Sequence, residues 1–268
     1  MELSISNIAW PSEYDEEMYD FLSFNGIKWL EIAPTRIFPY PPYDDLTQAE
    51  SFTRWLKKDH GIAISSIQSI WFGITESIFG SVEDRQKLLN YTYRAINFAF
   101  AMNCPNIVFG CPQNRAVPHG INIEAYLPIA YHFFEQIGSY AEKKRTCLAI
   151  EPNPPIYNTN FINTTREAFE LCRELNNPGI KVNVDLGTII YYGENIKILK
   201  DYIDMVNHVH ISEPNLVPIE RREIHKDLLR ELRDMGYRKC ISLEMKDCQN
   251  IDLLKKTVLY IQELYNDI

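Results

Sequence analysis

Short runs of β-branched and apolar residues recur along the whole chain, and each is followed by a segment with helical spacing. The runs are Leu3 to Ile8, Trp29 to Ala33, Ile62 to Ile70, Asn106 to Cys111, Cys147 to Glu151, Lys181 to Asp185, His208 to Ser212 and Cys240 to Met245, eight in all. Between them apolar residues return at helical period, clearest in Ile123, Tyr126, Leu127, Ala130, Phe133, Phe134 and Ile137, and again in Ile251, Leu254, Val258, Ile261 and Tyr265. Thr47 with Glu50 and Thr164 with Glu167 have the spacing of a capping box, and Ser12 with Asp15 is a looser version. Helix exits are expected at Asn25-Gly26, His60-Gly61 and Met235-Gly236, where glycine takes the left-handed conformation at no steric cost. Strands that alternate with helices must lie parallel, because the crossover returns the chain to the same edge. Eight such units with no break in composition predict an α/β fold, a closed (β/α)8 barrel in a single domain over residues 1–268. An open dinucleotide-binding sheet is disfavoured, since no G-x-G-x-x-G follows the first run.

Charge narrows the partners. With 27 Lys+Arg against 36 Asp+Glu the formal net charge is −9, and the densest basic stretch is only Glu142-Lys143-Lys144-Arg145. A phosphate backbone or an anionic bilayer surface would be repelled, so neither nucleic acid nor membrane is an expected partner. The N-terminus has no basic, apolar leader, and nowhere do about 18 apolar residues occur in succession. The expected location is the cytoplasm. Six scattered cysteines without C-x-x-C spacing point to packed thiols rather than a disulfide framework or thiolate metal site.

The strand-to-helix loops Pro34 to Asp45, Cys111 to Asn122, Pro152 to Asn163 and Glu213 to Glu223 are long, while the helix-to-strand turns are short. In a barrel the long loops build the C-terminal face, where active sites form. Four successive strands end there on polar groups: Glu151, Asp185, His210 and Glu244. Singly, each has a structural explanation as a loop carboxylate, a turn aspartate, a packed histidine or an ion-pair partner. Jointly, three carboxylates converging on neighbouring strand tops repel one another, and no Arg or Lys precedes these strand ends at matching positions. One divalent cation compensates that charge. Three oxygens and one imidazole suit Mn²⁺, Mg²⁺, Co²⁺ or Zn²⁺.

These residues carry a resemblance over essentially the full length. Glu151-Pro-Asn, Asp185-Leu-Gly, His208-Val-His210-Ile-Ser-Glu213 and Ser242-Leu-Glu244 resemble the motifs of the xylose isomerase-like superfamily of sugar isomerases, ketose 3-epimerases, inosose dehydratases and endonuclease IV. The resemblance implies that Glu151, Asp185, His210 and Glu244 hold one metal ion and that Glu151 and Glu244 also move protons. It implies a metal-dependent sugar isomerase or epimerase acting through a metal-stabilised enediolate. The alternatives are an endonuclease IV-like phosphodiesterase and a sugar-binding barrel without turnover. Ketose 3-epimerases commonly place a substrate-binding His, Glu and Arg where this chain has Thr188, Tyr157 and Leu216, and the extra histidines of a three-metal nuclease are missing at Gln68 and Thr188.

A polyol needs polar groups around the metal. Alternation along the strands puts Asn153 on the face of Glu151, and Gln68 ends the third strand; both are candidate substrate-binding residues. Asn7, Glu31 and His208 occupy comparable places but read equally well as packing or loop-satisfying groups. His225 is a third candidate, similar to a polar residue often found beside the superfamily's active site, in a basic group with Arg221, Arg222 and Lys226. The expected partner is a small sugar or polyol. The sequence is compatible with an oligomer and does not specify one.

Overall fold

The computed structural model describes residues 1–120 and 122–268; Ile121, inside the expected Cys111 to Asn122 loop, lies outside the described residues. Strands β1 (Glu2–Ser6), β2 (Trp29–Ile32), β3 (Ala63–Ile67), β4 (Asn106–Phe109), β5 (Cys147–Ile150), β6 (Ile180–Asp185), β7 (Val206–Ile211) and β8 (Cys240–Leu243) close into one barrel in sequence order. Every pairing is parallel, including β1 with β8, where Leu3 faces Ile241 and Ile5 faces Leu243. The expected (β/α)8 barrel is therefore the fold.

Helices α1 (Asp15–Phe24), α2 (Pro34–Ile37), α3 (Leu46–His60), α4 (Val82–Ala101), α5 (Leu127–Lys143), α6 (Thr165–Leu175), α7 (Leu186–Tyr192), α8 (Glu223–Asp234) and α9 (Ile251–Asn266) supply the crossovers and the outer layer. The apolar stripes face the sheet: α5 buries Ala130, Phe133, Phe134, Ile137 and Ala141, and α9 buries Leu254, Thr257, Val258 and Ile261. Phe133 and Phe134 join Trp71 and Phe109 in an edge-to-face aromatic cluster with ring centroids 4.9 to 5.9 Å apart. Each such side chain taken from water contributes about 1.5–3 kcal/mol, so α5 is held by packing more than by helix propensity.

Helix starts depart from the expected pattern in three places. Thr164 and Glu167 form the capping box at α6, but Thr47 lies inside α3, whose cap is the Asp45 carboxylate accepting from the Gln48 amide at 2.9 Å. Aspartate two residues earlier caps as well as threonine, and its position sets the helix start. Ser12 opens a 3-10 turn, Ser12–Tyr14, and α1 starts from Tyr14 without a side-chain cap. A capping box outside the expected set, Ser81 with Asp84, opens α4. Gly26, Gly61 and Gly236 have φ of 73°, 73° and 75°, as their exit role requires.

Most of the expected strands run too far at their C-terminal ends. Ladder pairing stops at Ser6, Ile67, Phe109, Ile150 and Leu243, and the chain then bends outward. Ser69 and Cys111 make that bend with φ of 53° and 41°, and the 3-10 turn Asn7–Ala9 makes it after β1. Glu151 and Glu244 are consequently the first residues beyond their strands. No helix among the described residues is long and apolar enough to cross a membrane.

Candidate metal centre

Backbone pairing fixes the four strand-end residues before any side chain is considered. Asp185 on β6 is in register with His210 on β7, and His210 with Ser242 on β8. Glu151 and Glu244, the first residues past β5 and β8, are each held by one further backbone bond, donating their N–H to the Phe109 carbonyl at 3.1 Å and to the Ile211 carbonyl at 2.9 Å. One ligand atom from each of Glu151, Asp185, His210 and Glu244 lies within 4.8 Å of the others, and all four residues are buried. Glu151, Asp185 and Glu244 line a cavity of about 190 Å³ whose wall also includes Gln68, Asn153, Tyr157 and Leu216, and His210 lies buried beneath them.

Each carboxylate is aimed by donors. Asp185 caps α7, taking the Thr188 N–H and facing its hydroxyl, each 2.7 Å from Oδ2, while Ser212 donates its hydroxyl to Oδ1. Glu151 accepts from Asn183 at 2.7 Å and from Asn153 at 3.0 Å. Glu244 accepts from Gln68 at 2.8 Å. His210 joins the set through Nδ1, which lies 2.9 Å from Glu151 and 3.0 Å from Glu244.

Glu31 is closer to the centre than its place in the sequence suggests. Its side chain is fully buried, with Oε2 3.0 Å from His210 Nε2 and 3.1 Å from His208 Nε2, and Oε1 accepting from Gln68 at 3.1 Å. A carboxylate in the middle of the apolar β2 run Trp29-Leu-Glu-Ile32 is the sequence signal for it, because such a group must be paired. Arg115 is the second such residue. Wholly buried in the loop after β4, it donates to the backbone carbonyls of Glu151 (2.8 Å) and Phe161 (2.9 Å) and to Asn153 Oδ1 (2.8 Å). The sequence expectation concerned positions preceding the strand ends and holds there; Arg115 instead anchors the backbone and the Asn153 amide beside Glu151. Arg115 reaches in from the preceding strand's loop, a placement that strand-end spacing does not reveal.

Electrostatics follow the contacts. Burial raises the Glu244 carboxyl to about 7, with the charge of Glu151 adding to it against the pull of His210. Burial also raises Asp185, with Glu151 again adding. Burial works upward on Glu151 and Glu31 too, but their imidazole contacts outweigh it and hold both below the ordinary carboxylate range. For His210 burial disfavours the charged ring, yet Glu244, Glu31 and Glu151 together push it well above the usual imidazole value. Without a metal, an imidazolium at His210 offsets part of the negative charge, and Glu244 takes up a proton as pH falls through about 7.

The other sequence candidates divide. Gln68 and Asn153 line the cavity, but their amides also bind Glu244 and Glu151. Thr188 is turned to Asp185 and the Pro152 carbonyl, whereas Tyr157 and Leu216 face the cavity. His225 is not among the cavity-lining residues. It is buried on α8, with Nδ1 3.2 Å from the Tyr260 hydroxyl, and burial lowers it to about 4. The amphipathic period of α8, with Leu228, Leu229 and Leu232 also buried, takes that side chain under the helix rather than over the strand ends.

This barrel, with its carboxylate and histidine cluster on the C-terminal rim, belongs to the xylose isomerase-like TIM barrel family, whose model matches residues 20–264. Among solved structures it is similar to a D-psicose 3-epimerase with D-tagatose from Clostridium cellulolyticum H10, at TM-score 0.82 and 14% identity over 100% of this chain and 99% of that one. It is also similar to an AP endonuclease, family 2, from Brucella melitensis (TM-score 0.76, 18% identity, 98% and 99% covered). A third similar structure is an IolI protein with a bound zinc atom (TM-score 0.75, 15% identity, 99% and 99% covered). No curated protein matches the chain in sequence.

Proposed function

We propose that the protein is a divalent-metal-dependent isomerase or epimerase of a sugar or sugar derivative. The observation that carries this reading is the convergence of Glu151, Asp185, His210 and Glu244 within 4.8 Å, with the three carboxylates lining a cavity. Three buried carboxylates and one imidazole match a single divalent ion in number and donor type, with Mn²⁺, Mg²⁺, Co²⁺ and Zn²⁺ all chemically compatible. The Glu31 contact fits as well: by taking the His210 Nε2 proton it leaves the Nδ1 lone pair free to coordinate. When bound, such a cation polarises a carbonyl and its neighbouring hydroxyl and so acidifies the C–H between them.

The chain's own groups then handle the proton. One of the two glutamates, Glu151 or Glu244, removes it from the carbon beside the carbonyl. The other returns it to the opposite face, which epimerises, or to the adjacent carbon, which isomerises. Gln68 and Asn153 hold the two carboxylates in place and offer amide edges to the substrate hydroxyls, and Tyr157 offers a hydroxyl that burial keeps protonated. The net charge of −9 disfavours the phosphodiester alternative by opposing approach to a duplex.

Solvent-deuterium incorporation at the carbon next to the carbonyl, followed by NMR across aldoses, ketoses and their phosphates with added metal, tests the proposal. Metal-dependent exchange in at least one sugar is expected. Cleavage of an abasic-site oligonucleotide without any sugar exchange would transfer the protein to the phosphodiesterase reading, and sugar affinity without exchange to the binding-barrel reading.

A further inference from the structure

The cavity at Glu151, Asp185 and Glu244 shares part of its wall with a second groove. Ser69, Cys111 and Pro112, which line the cavity on one side, also line that groove, of about 340 Å³, with Trp71, Phe72 and Gln113. The cavity at Glu151 and Glu244, about 190 Å³, falls short of the ~300–1,000 Å³ usual for small-molecule pockets, whereas the adjoining groove of about 340 Å³ lies within it.

The junction is built from strained backbone. Ser69 and Cys111 are non-glycine residues with φ of 53° and 41°, one at each of two adjacent strand ends. Such conformations cost about 1–3 kcal/mol apiece and persist where the surrounding structure enforces them, most often at binding sites. The groove is also pre-formed. The Asn114 amide bridges its two loops by donating to the Ile74 and Glu76 carbonyls at 2.9 and 2.8 Å, and Phe72 N–H closes a turn onto the Ser69 carbonyl at 2.9 Å. Between these walls Phe72 is 68% exposed and lines the groove.

We propose that this groove is a second carbohydrate subsite, so that the substrate has two rings: the reacting sugar at Glu151 and Glu244, and a glycosidically linked second ring lying on Phe72. The inference rests on the sugar-isomerase reading and names its substrate class. A pyranose offers an apolar C–H face to an aromatic ring and hydroxyls at its edge, and the exposed Gln113 amide and the Ser69 hydroxyl border Phe72 in the groove. A purely apolar substituent forms no hydrogen bond with the Gln113 amide or with the Ser69 hydroxyl, which itself donates to Gln68 Oε1 at 3.0 Å.

Calorimetric titration of the full-length, Mg²⁺-loaded protein tests this, using glucose, galactose and fructose beside maltose, cellobiose, lactose and sucrose, with p-nitrophenyl glucoside as an apolar control. One aromatic contact converts to about five- to ten-fold in affinity, so at least one disaccharide is expected to bind that much more tightly than its component monosaccharides. Phe72→Ala is expected to reduce the preference to about two-fold or less, with the bound metal content equal to the parent's, and Gln113→Ala to reduce it in part. No preference for any disaccharide, a preference that survives Phe72→Ala, or a gain confined to the p-nitrophenyl compound overturns the proposal. These probes need not react, so the outcome is separable from that of the exchange assay. Monosaccharide exchange without disaccharide preference removes the subsite alone, and disaccharide preference without any exchange removes the isomerase reading alone.

Discussion

Glu31 Oε2 lies 3.0 Å from His210 Nε2, on the far side of the imidazole from the carboxylates that meet its Nδ1. The buried β2 carboxylate therefore decides which ring nitrogen carries a proton and which faces the candidate metal position. Removing that charge is expected to weaken the metal more than the fold: Glu31→Gln keeps shape and one acceptor, and a ten- to hundred-fold loss of metal affinity is the order expected. Competition titration against a chelator, with circular dichroism as the control for folding, measures it. Parent-like affinity in a folded variant contradicts the orienting role.

Proton uptake at the same cluster gives a pH prediction. Glu244 sits at about 7 in the folded protein against an ordinary 4.5, and His210 sits well above 6.5. Both values are raised, so their contribution to metal-free stability is present at low pH and fades as pH climbs through the folded values. Metal needs both groups deprotonated and competes with those protons. Binding near pH 6 is expected to release between roughly one and two protons per ion, and the rise in Tm on adding metal to be larger at pH 8 than at pH 6. Calorimetry in buffers of different ionisation enthalpy reads the first and thermal melts the second; binding with no proton release refutes the assignment.

Gly110 supplies a test by crowding. A Cβ built there stands 2.7 Å from Glu151 Oε2 and 3.4 Å from Asn153 Oδ1, and the nearest atoms belong to side chains that can move. Gly110→Ala is expected to displace the Glu151 carboxylate and lower metal affinity by about ten-fold or more, while costing no more than about 1–3 kcal/mol of stability. Urea unfolding and metal titration separate the two effects, and unaltered metal affinity shows that Glu151 is not a ligand.

The two glutamates are distinguished from mere ligands by their amides. Glu151→Gln and Glu244→Gln retain an oxygen that can coordinate but cannot accept a proton, so each is expected to lower solvent-deuterium exchange by at least about 10²-fold at saturating metal. Near-parental exchange in either variant leaves that residue as a ligand only.

The barrel is legible in the sequence because its signals are local and repeated: alternating periods, glycine exits, long loops on one face. The four strand-end groups are legible for the same reason, since each closes an apolar run. What stays hidden depends on approach across the barrel. Glu31 is visible as a polar group on β2 but not as the partner of His210, since that contact crosses the barrel, and Arg115 comes from a loop rather than a strand. His225, which the resemblance places beside the site, is buried on α8 against Tyr260. Strand ends are overrun because apolar composition continues through Ile70, Cys111 and Met245 after ladder pairing has ceased.

The central claim is that Glu151, Asp185, His210 and Glu244 together hold one divalent ion. Elemental analysis after reconstitution with Mn²⁺, Mg²⁺, Co²⁺ or Zn²⁺ and removal of excess addresses it most directly, on the parent chain and on the Asp185→Asn, His210→Ala double variant. The arrangement predicts about one ion per chain in the parent for at least one of these metals and a loss of most of it in the folded double variant. A parent that retains none of the four, or a double variant with the parent's metal content, contradicts it.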